Sequence, residues 1–248
     1  MSILATLAAT AALGFTAGRL SARPNIHRLH SEITQLRGQV DELDRQARLM
    51  EYIAEHDSLT GLHNRRGAAQ MFLLAELTHC PTIVALVDLD RFKHINDTHG
   101  HHTGDELLRV VAERLARAAS ACDGIAARLA GDEFLLLLPV THEDPDLSVA
   151  WTMDMLTEPA NLPTDDGPVT VTPTASAGIA VYDGTYGDFN TMLHRTDIAL
   201  YHAKQQRGTH RTYQPQMRMP RNASRYGPRR RDQHPADSDG QLGGGVTA

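Results

Sequence analysis

The sequence is poor in cysteine. Of its 248 residues only two are cysteines, Cys80 and Cys122, and they form no CxxC or other ligand-like spacing. Isolated cysteines argue against a disulfide framework and against a cysteine-based zinc site, and they suit a reducing compartment. The chain also contains no repeat at solenoid spacing. We therefore expect one catalytic domain with accessory segments.

The chain has no excess of basic residues, with 24 Lys and Arg against 30 Asp and Glu and a net charge of −6. A nucleic-acid binder with a broad basic face is thereby disfavoured, and nucleotides are better candidates than polymers. Metal-binding motifs such as HExxH are lacking too. Four histidines still lie close together, and we expect them on a solvated surface, with a zinc or nickel site as the alternative. They are His94, His99, His101 and His102.

The stretch from Ser2 to Gly18 contains no charged residue and is followed by Arg19 and Arg23. Its length is close to the minimum for a membrane-spanning helix. We predict a membrane anchor over residues 1–20, with a poorly cleaved signal sequence or a buried helix as alternatives. The positive-inside rule then places the remainder in the cytoplasm, at the inner face of a bacterial cell membrane.

An apolar residue recurs every three or four positions between residues 26 and 50. The positions are Ile26, Leu29, Ile33, Leu36, Val40, Leu43, Ala47 and Met50. This heptad pattern predicts a coiled coil within a linker of residues 21–54, and hence a homodimer. The alternative is a single amphipathic helix that packs on its own domain.

The sequence of residues 55–213 predicts a domain that contains both helices and strands. Helices are predicted at 66–77, 105–119, 151–156 and 191–206, and strands at 82–87, 125–129, 134–138 and, twice, within 169–181. Residues 214–248 are rich in Pro, Gly and Arg with few apolar residues, which predicts a disordered tail.

Acidic residues follow the apolar strand 82–87. Alternation along a strand places Asp88 and Asp90 on the same side, with the Leu89 carbonyl at the strand end. Mg²⁺ prefers such oxygen ligands, and Asp132 in the hairpin turn can supply a second carboxylate. A solvated strand end is the alternative interpretation.

The motifs around these residues closely resemble those of the GGDEF family of diguanylate cyclases. They are DSLTGLHNRR at 57–66, DLDRFKHIND at 88–97, Gly100-His101 with Gly104-Asp105, and RLAGDEF at 128–134. The resemblance implies an α+β fold like the palm of nucleotide cyclases and polymerases, with helices packed against an antiparallel sheet. It also implies a reaction that condenses two GTP molecules into cyclic di-GMP and releases pyrophosphate.

The resemblance implies roles for individual residues as well. Two Mg²⁺ or Mn²⁺ ions per active site would be bound by Asp88, the Leu89 carbonyl and Asp132, with Asp132, Lys93 and Glu133 as catalytic residues. The substrate would be bound by Phe92, Asn96, Asp105, Lys204 and Arg207. Of these, Asn96 and Asp105 match the positions that recognise guanine, whose N1 and N2 donors suit an amide oxygen and a carboxylate. Each domain would hold one GTP, so the coiled coil 26–50 would bring two domains together.

The chain departs from the family pattern at three places. Ala130 replaces the first glycine of the signature, which would strain the turn if its φ were positive. The order Arg207-Gly208-Thr209 replaces Gly-Arg-Asn and would move Arg207 about 100° around its helix. Ala121 and Gly124 occupy the positions of an Arg-x-x-Asp product site, so we expect no product inhibition there.

Two functions follow from these patterns. The first is an active diguanylate cyclase. The second is a degenerate domain that binds GTP without turnover and acts as a regulatory interaction module. Every acidic residue of the signature is present, which favours the first. Altered base choice is disfavoured because Asn96 and Asp105 are both retained.

Overall fold

The computed structural model describes residues 3–140, 145–164 and 166–220. The chain divides into two compact units, with the boundary after Ile53. The first unit consists of helix α1, Ile3–Glu55, whose last residues enter the second unit. Part of the predicted tail, 221–248, lies outside the described residues.

Helix α1 runs through the whole predicted linker 21–54. Its large apolar side chains at the stripe positions from Leu29 to Met50 are solvent-exposed in the single chain, from 47% at Ile33 to 66% at Met50. Ion pairs between exposed side chains, such as Arg28 with Glu32, lie along the same helix. The structure has a helix over this range, whereas the coiled coil and the pairing with a second copy stay predictions.

The membrane anchor predicted for residues 1–20 is not confirmed. In the part of the chain that the structure describes, no helix is both long enough and apolar enough to cross a membrane.

The second unit alternates helices and strands. Its helices are α2 Arg65–Thr78, α3 Phe92–Ala121, α4 Pro145–Leu156 and α5 Phe189–Ala203, followed by a 3₁₀ helix Lys204–Gln206. Its strands are β1 Thr82–Leu89, β2 Ile125–Ala130, β3 Glu133–Pro139, β4 Ala160–Leu162, β5 Val169–Val171, β6 Ala175–Tyr182 and β7 His210–Thr212.

The main sheet has five strands in the order β2-β3-β1-β6-β7, and β4 pairs with β5 in a separate two-stranded sheet. Strand β1 is antiparallel to both β3 and β6, as expected. Strand β7, however, runs parallel to β6, so the expectation of a purely antiparallel sheet is wrong. The chain crosses over through α5 between β6 and β7, which is the connection that parallel neighbours require.

Strand β1 is buried along all eight residues because helices cover both faces of the sheet. Ile83 and Val87 pack in one cluster with residues of α3 and α4. Val84 and Leu86 pack in the other with Phe72 of α2 and residues of α5. Burying an aliphatic side chain of this size stabilises a fold by about 1.5–3 kcal/mol. The packing therefore fixes the position of the strand end that carries Asp88.

The start of helix α2 agrees with its prediction, whereas helix α3 begins earlier than predicted. Helix α2 begins within one residue of its prediction because Asn64 caps it, its side chain accepting from the backbone N–H of Arg66 and Gly67. Helix α3 begins at Phe92, well before the predicted residue 105. It contains one non-helical residue, Gly100, with φ 85° and ψ 160°, which divides it into two segments.

Candidate functional site

Three acidic side chains gather where β1 meets the turn between β2 and β3. Asp88, near the end of β1, pairs in register with Glu133 at the start of β3. The Leu89 N–H donates to the Asp132 carbonyl at 3.2 Å. The backbone thus brings Asp132 close to Asp88, which is the juxtaposition that the sequence predicts, and places Glu133 beside them. Only 3% of the Asp88 side chain is exposed.

The cluster carries excess negative charge. Burial raises the pKa of Asp132, and the neighbouring Asp88 carboxylate raises it further, whereas the positive charge of Lys204 works in the opposite direction. Lys204 forms an ion pair with Oδ1 of Asp88. One ammonium facing several carboxylates leaves room for a further cation, and carboxylate oxygens are the ligands that Mg²⁺ prefers.

The described residues contain no group of three or more His, Cys, Asp or Glu side chains that could hold a metal ion by itself. The zinc or nickel site that the four neighbouring histidines offered as an alternative is not seen among these residues. Mg²⁺ commonly binds proteins through one or two carboxylates and completes its shell with phosphate oxygens and water. The pair of Asp88 and Asp132, with the Leu89 carbonyl nearby, fits such an ion if a nucleotide supplies the rest.

Asp90 does not join this cluster. It is buried, and its carboxylate accepts from Ser176 Oγ at 2.9 and 3.2 Å and from the Gly208 N–H at 2.9 Å. Ser176 lies directly opposite Asp88 in the register of β1 with β6, so Asp90 lies on the same side as Asp88, where these hydrogen bonds hold its carboxylate. Its partners lie in β6 and after the 3₁₀ helix, too far along the chain for strand alternation to reveal them.

Three predicted substrate-binding residues lie on α3, on both sides of Gly100, and two of them, Asn96 and Asp105, are the predicted guanine-binding pair. Phe92 and Asn96 precede Gly100, and Asp105 follows it. The Asn96 Oδ1 atom is buried without a hydrogen-bond partner. A Cβ at Gly104 would lie 1.8 Å from that oxygen, so the glycine provides the space that Asn96 fills. An unpaired buried polar atom costs about 1–3 kcal/mol, which a ligand N–H donor would recover.

Lys93 and Arg207 are exposed, and their phosphate contacts stay predictions. Lys93 lies in the first turn of α3. Arg207 has φ −53° and ψ 156°, an extended conformation just beyond the 3₁₀ helix. The argument that it is displaced around a helix therefore does not apply.

Ala130 is the last residue of β2 and lies at the surface. Among the described residues, the non-glycine positions with positive φ are His79, Arg91 and Asp123, so Ala130 is not left-handed. The positive φ of the signature falls on Gly131, at 55°. The backbone strain suspected at Ala130 is therefore not found.

Arg128 holds the signature turn, a role that the sequence did not reveal. Its Nε donates to the Gly131 carbonyl at 2.9 Å and its Nη1 to Asp57 Oδ1 at 2.9 Å. Its backbone N–H donates to the His63 carbonyl at 2.8 Å. The only signal in the sequence is its place immediately before the signature, and nothing there links it to Asp57.

The region around Gly124 lacks the groups of a product site. A Cβ at Gly124 would lie 2.4 Å from the Leu137 carbonyl oxygen, so this backbone position excludes any side chain. The neighbouring cleft is mainly apolar, with Met71, Leu74 and Ile125 in its lining. The loss of product inhibition at this place stays a prediction.

Comparison with protein families matches residues 54–210 with the diguanylate cyclase GGDEF domain. Diguanylate cyclase DgcM of Escherichia coli is 36% identical over 174 residues, which cover 66% of this chain and 40% of DgcM. Cyclic di-GMP phosphodiesterase NbdA of Pseudomonas aeruginosa is 35% identical over 181 residues, 70% of this chain and 22% of NbdA. The chain thus spans less than half the length of these curated relatives.

Solved structures resemble this fold as well. The coiled coil and GGDEF domain of DgcB from Caulobacter crescentus, in complex with c-di-GMP, is 26% identical with a TM-score of 0.63, covering 75% of this chain and 98% of that one. The GGDEF domain of PA1120 (TpbB or YfiN) from Pseudomonas aeruginosa is 34% identical with a TM-score of 0.56, covering 64% and 94%. The family match extends over more than half of the sequence, and the motifs, the sheet and the acidic cluster agree with it: the chain belongs to the GGDEF domain family.

Proposed function

We propose that the protein is a diguanylate cyclase that condenses two GTP molecules into cyclic di-GMP as a homodimer. In each half-reaction the 3′-hydroxyl oxygen of one GTP forms a bond to the α-phosphorus of the other. The bond from that phosphorus to the β-phosphate bridging oxygen breaks, and pyrophosphate leaves. Two such steps close the ring and release two pyrophosphates together with two hydroxyl protons.

The observation that carries the proposal is the convergence of Asp88, Asp132 and Glu133 beside Lys204 at the end of the central strand β1. Asp88 and Asp132, with the Leu89 carbonyl, would hold two Mg²⁺ or Mn²⁺ ions per site. When bound, the ions would lower the pKa of the 3′-hydroxyl and stabilise charge on the α-phosphate.

The residues of the chain would contribute selection and orientation. Asn96 Oδ1 is a buried acceptor that lacks a donor, and Asp105 lies just beyond Gly104 on the same helix. Together they suit the N1 and N2 donors of guanine. Phe92 would pack beside the base, and Lys93, Lys204 and Arg207 would neutralise phosphate charge. Glu133 would complete the acidic wall of the site.

The homodimer follows from stoichiometry. A domain with one nucleotide site cannot align two GTP molecules, so a second copy has to supply the other. The exposed apolar stripe of α1 provides a surface on which two copies could pair as a coiled coil.

Both cysteines are free thiols, which suits the reducing compartment in which we place the domain.

The decisive experiment incubates the full chain with GTP and Mg²⁺ and measures cyclic di-GMP by chromatography. The expected result is product formation by the wild type and none by Asp132→Asn. The proposal is overturned if the folded wild type yields no product while GTP still binds. That outcome would establish the GTP-binding regulatory module instead.

A second experiment tests the dimer. Introducing glutamates at Leu36 and Leu43 places charges in the stripe and should lower activity most steeply at low protein concentration. The matched control introduces the same two charges outside the stripe, at Gln35 and Gln39. Equal loss in both variants, or none in either, would contradict a role for the stripe.

A further inference from the structure

The ion pair between Lys204 and Asp88 occupies the place where a divalent cation would bind. We propose that Lys204 is an internal counter-ion for Asp88 in the nucleotide-free domain, and that it must be displaced before a metal ion can bind there. This inference rests on the cation site of the proposed function. Its consequence is that metal alone binds weakly and enters the site together with GTP.

Asp88 needs such a partner when no metal is bound. Its side chain is 3% exposed, and Asp132 and Glu133 lie next to it. A buried carboxylate without a compensating charge is strongly destabilising, more so beside other carboxylates. The side chain of Lys204 is 30% exposed, so its ammonium can leave Asp88 toward solvent or toward a phosphate.

Asp90 keeps Lys204 within reach of Asp88 and is therefore a positioning residue. Lys204 begins the 3₁₀ helix that ends at Gln206, and two residues later the Gly208 N–H donates to Asp90 Oδ2 at 2.9 Å. Ser176 Oγ fixes the same carboxylate from β6. Asp90 therefore fastens the end of this short segment to the strand end that carries Asp88.

Position 204 is occupied by a lysine, whose charge is easier to displace from a carboxylate than that of an arginine. Only two of the 24 basic residues of the chain are lysines, Lys93 and Lys204, and all others are arginines. An arginine would bind a carboxylate through two parallel hydrogen bonds and would be hard to displace. A lysine offers a point charge on a flexible stem, which can exchange one oxygen partner for another.

The displacement links metal binding to nucleotide binding. A metal ion alone must break the ion pair and compete with the ammonium for the same carboxylate. A nucleotide that arrives with the metal offers phosphate oxygens to the displaced ammonium. Each ligand then improves the affinity for the other by the same factor, typically about 5- to 150-fold for two coupled ligands.

The first test measures Mn²⁺ affinity by electron paramagnetic resonance of the free ion, using the full chain without nucleotide. Lys204→Met should bind Mn²⁺ at least about fivefold more tightly than the wild type, the lower end of such coupling. Lys204→Arg should bind it as weakly as the wild type or more weakly. Arg117→Met removes one positive charge from an exposed position of α3 outside the site and should leave the affinity unchanged.

Unchanged or weaker Mn²⁺ binding by folded Lys204→Met would overturn the inference. The inference would also be overturned if Lys204→Arg and Lys204→Met both bound Mn²⁺ more tightly than the wild type and to the same extent. That result would reflect the loss of the lysine side chain rather than the loss of its charge. Asp88→Asn should abolish the tight Mn²⁺ binding of the Lys204→Met background, and persistence there would place the ion elsewhere and also overturn the inference.

The second test follows the lysine side chains themselves. With ¹³Cε-labelled lysine the protein should show two side-chain signals, assigned by Lys93→Met and Lys204→Met. A non-cleavable GTP analogue with Mg²⁺ should move the Lys204 signal more than Mg²⁺ alone at the same concentration. Asp90→Asn should shift and sharpen the Lys204 signal without moving the Lys93 signal. A Lys204 signal that is indifferent to Asp90→Asn would overturn the positioning role.

These measurements require no turnover. If cyclic di-GMP is not formed but Lys204→Met still binds Mn²⁺ more tightly, the proposed function fails and the inference stands. If the product is formed but the Mn²⁺ affinities are equal, the reverse holds.

Discussion

Arg128 and Asp57 join two segments that lie 71 positions apart in the sequence, with Arg128 Nη1 at 2.9 Å from Asp57 Oδ1. Both side chains are largely buried, at 12% and 23% exposure. The Arg128 Nε binds the Gly131 carbonyl at 2.9 Å. The pair therefore connects the loop after α1 with the turn that carries Asp132. The signature turn therefore depends on a contact outside the signature itself.

Asp57→Asn should destabilise the fold in a pH-dependent way. Burial by itself raises the pKa of Asp57, but hydrogen bonds from Thr60 and Arg128 outweigh burial and lower it below its ordinary value of 3.8. The carboxylate therefore stabilises the fold above about pH 4, and this contribution is lost as pH falls through the folded pKa. We expect a loss of about 1–3 kcal/mol in the free energy of unfolding at pH 7.

Urea denaturation between pH 3 and pH 7 measures this difference. Asp154→Asn, at an exposed position of α4, is the matched control and should change stability little at any pH. A loss for Asp57→Asn that is equally large at every pH would show that shape, not charge, is responsible.

Asp132→Asn should stabilise the metal-free protein although it abolishes the proposed activity. Burial first, and then Asp88, raise the pKa of Asp132, so its ionised form opposes folding. The penalty is present in full above the folded pKa and absent below 3.8, the ordinary value of an aspartate. Because Asp132 is only half-buried, solvent screens the repulsion, and we expect a gain below about 1 kcal/mol at pH 7.

Thermal unfolding in EDTA at pH 7 and at pH 4 tests the sign of this effect. The gain should shrink or vanish at the lower pH. A variant that melts below the wild type at pH 7 would contradict the proposed repulsion between Asp132 and Asp88.

The sequence predicted those parts of the fold that local patterns determine. The continuous apolar run of β1 and the two apolar segments around the β2–β3 turn are strong local signals, and the Asn64 cap marks the start of α2. The first half of α3 was missed because it is mostly polar, and its few apolar residues, Phe92 and Ile95, pack against a core that the local pattern does not show. The parallel pairing of β7 with β6 likewise depends on a crossover that no local pattern encodes.

The residues of the candidate site likewise comprise some that local patterns predict and some that only long-range contacts position. Asp88 and Asp132 were predicted together because a strand end and a hairpin turn place them side by side, whereas Glu133 was named through the family resemblance alone. The partners of Asp90, and the pairing of Arg128 with Asp57, arise from contacts between segments far apart in the chain. Whether Ala130 strains the backbone of the turn depends on its φ angle. Strand register and turn geometry determine that angle, and the amino-acid composition does not.

Ala130→Gly should not increase activity, because Ala130 lies outside the left-handed region and its methyl causes no backbone strain. The substitution should instead destabilise the fold by about 0.5–1 kcal/mol, the usual cost of glycine in a strand. Gly131→Ala, one residue later at φ 55°, should cost about 1–2 kcal/mol because alanine disfavours that region.

Urea denaturation and initial rates of cyclic di-GMP formation, measured on both variants, test this contrast. A clear rise in rate for Ala130→Gly would show that the methyl obstructs the nucleotide rather than the backbone.

Gly104→Ala should weaken GTP binding through Asn96. The added Cβ would lie 1.8 Å from Asn96 Oδ1 and 3.3 Å from the Phe92 ring, so the amide has to leave its position. Losing one hydrogen bond to the base costs about 1 kcal/mol or slightly more, which corresponds to a rise in KM of about tenfold. Because this contact is made before and during the reaction, kcat should change less than KM.

Asn96→Ala should have the same effect, and the double variant should be no worse than either single one, since both remove the same contact. Additive effects of the two substitutions on KM would show that Gly104 acts on the substrate independently of Asn96.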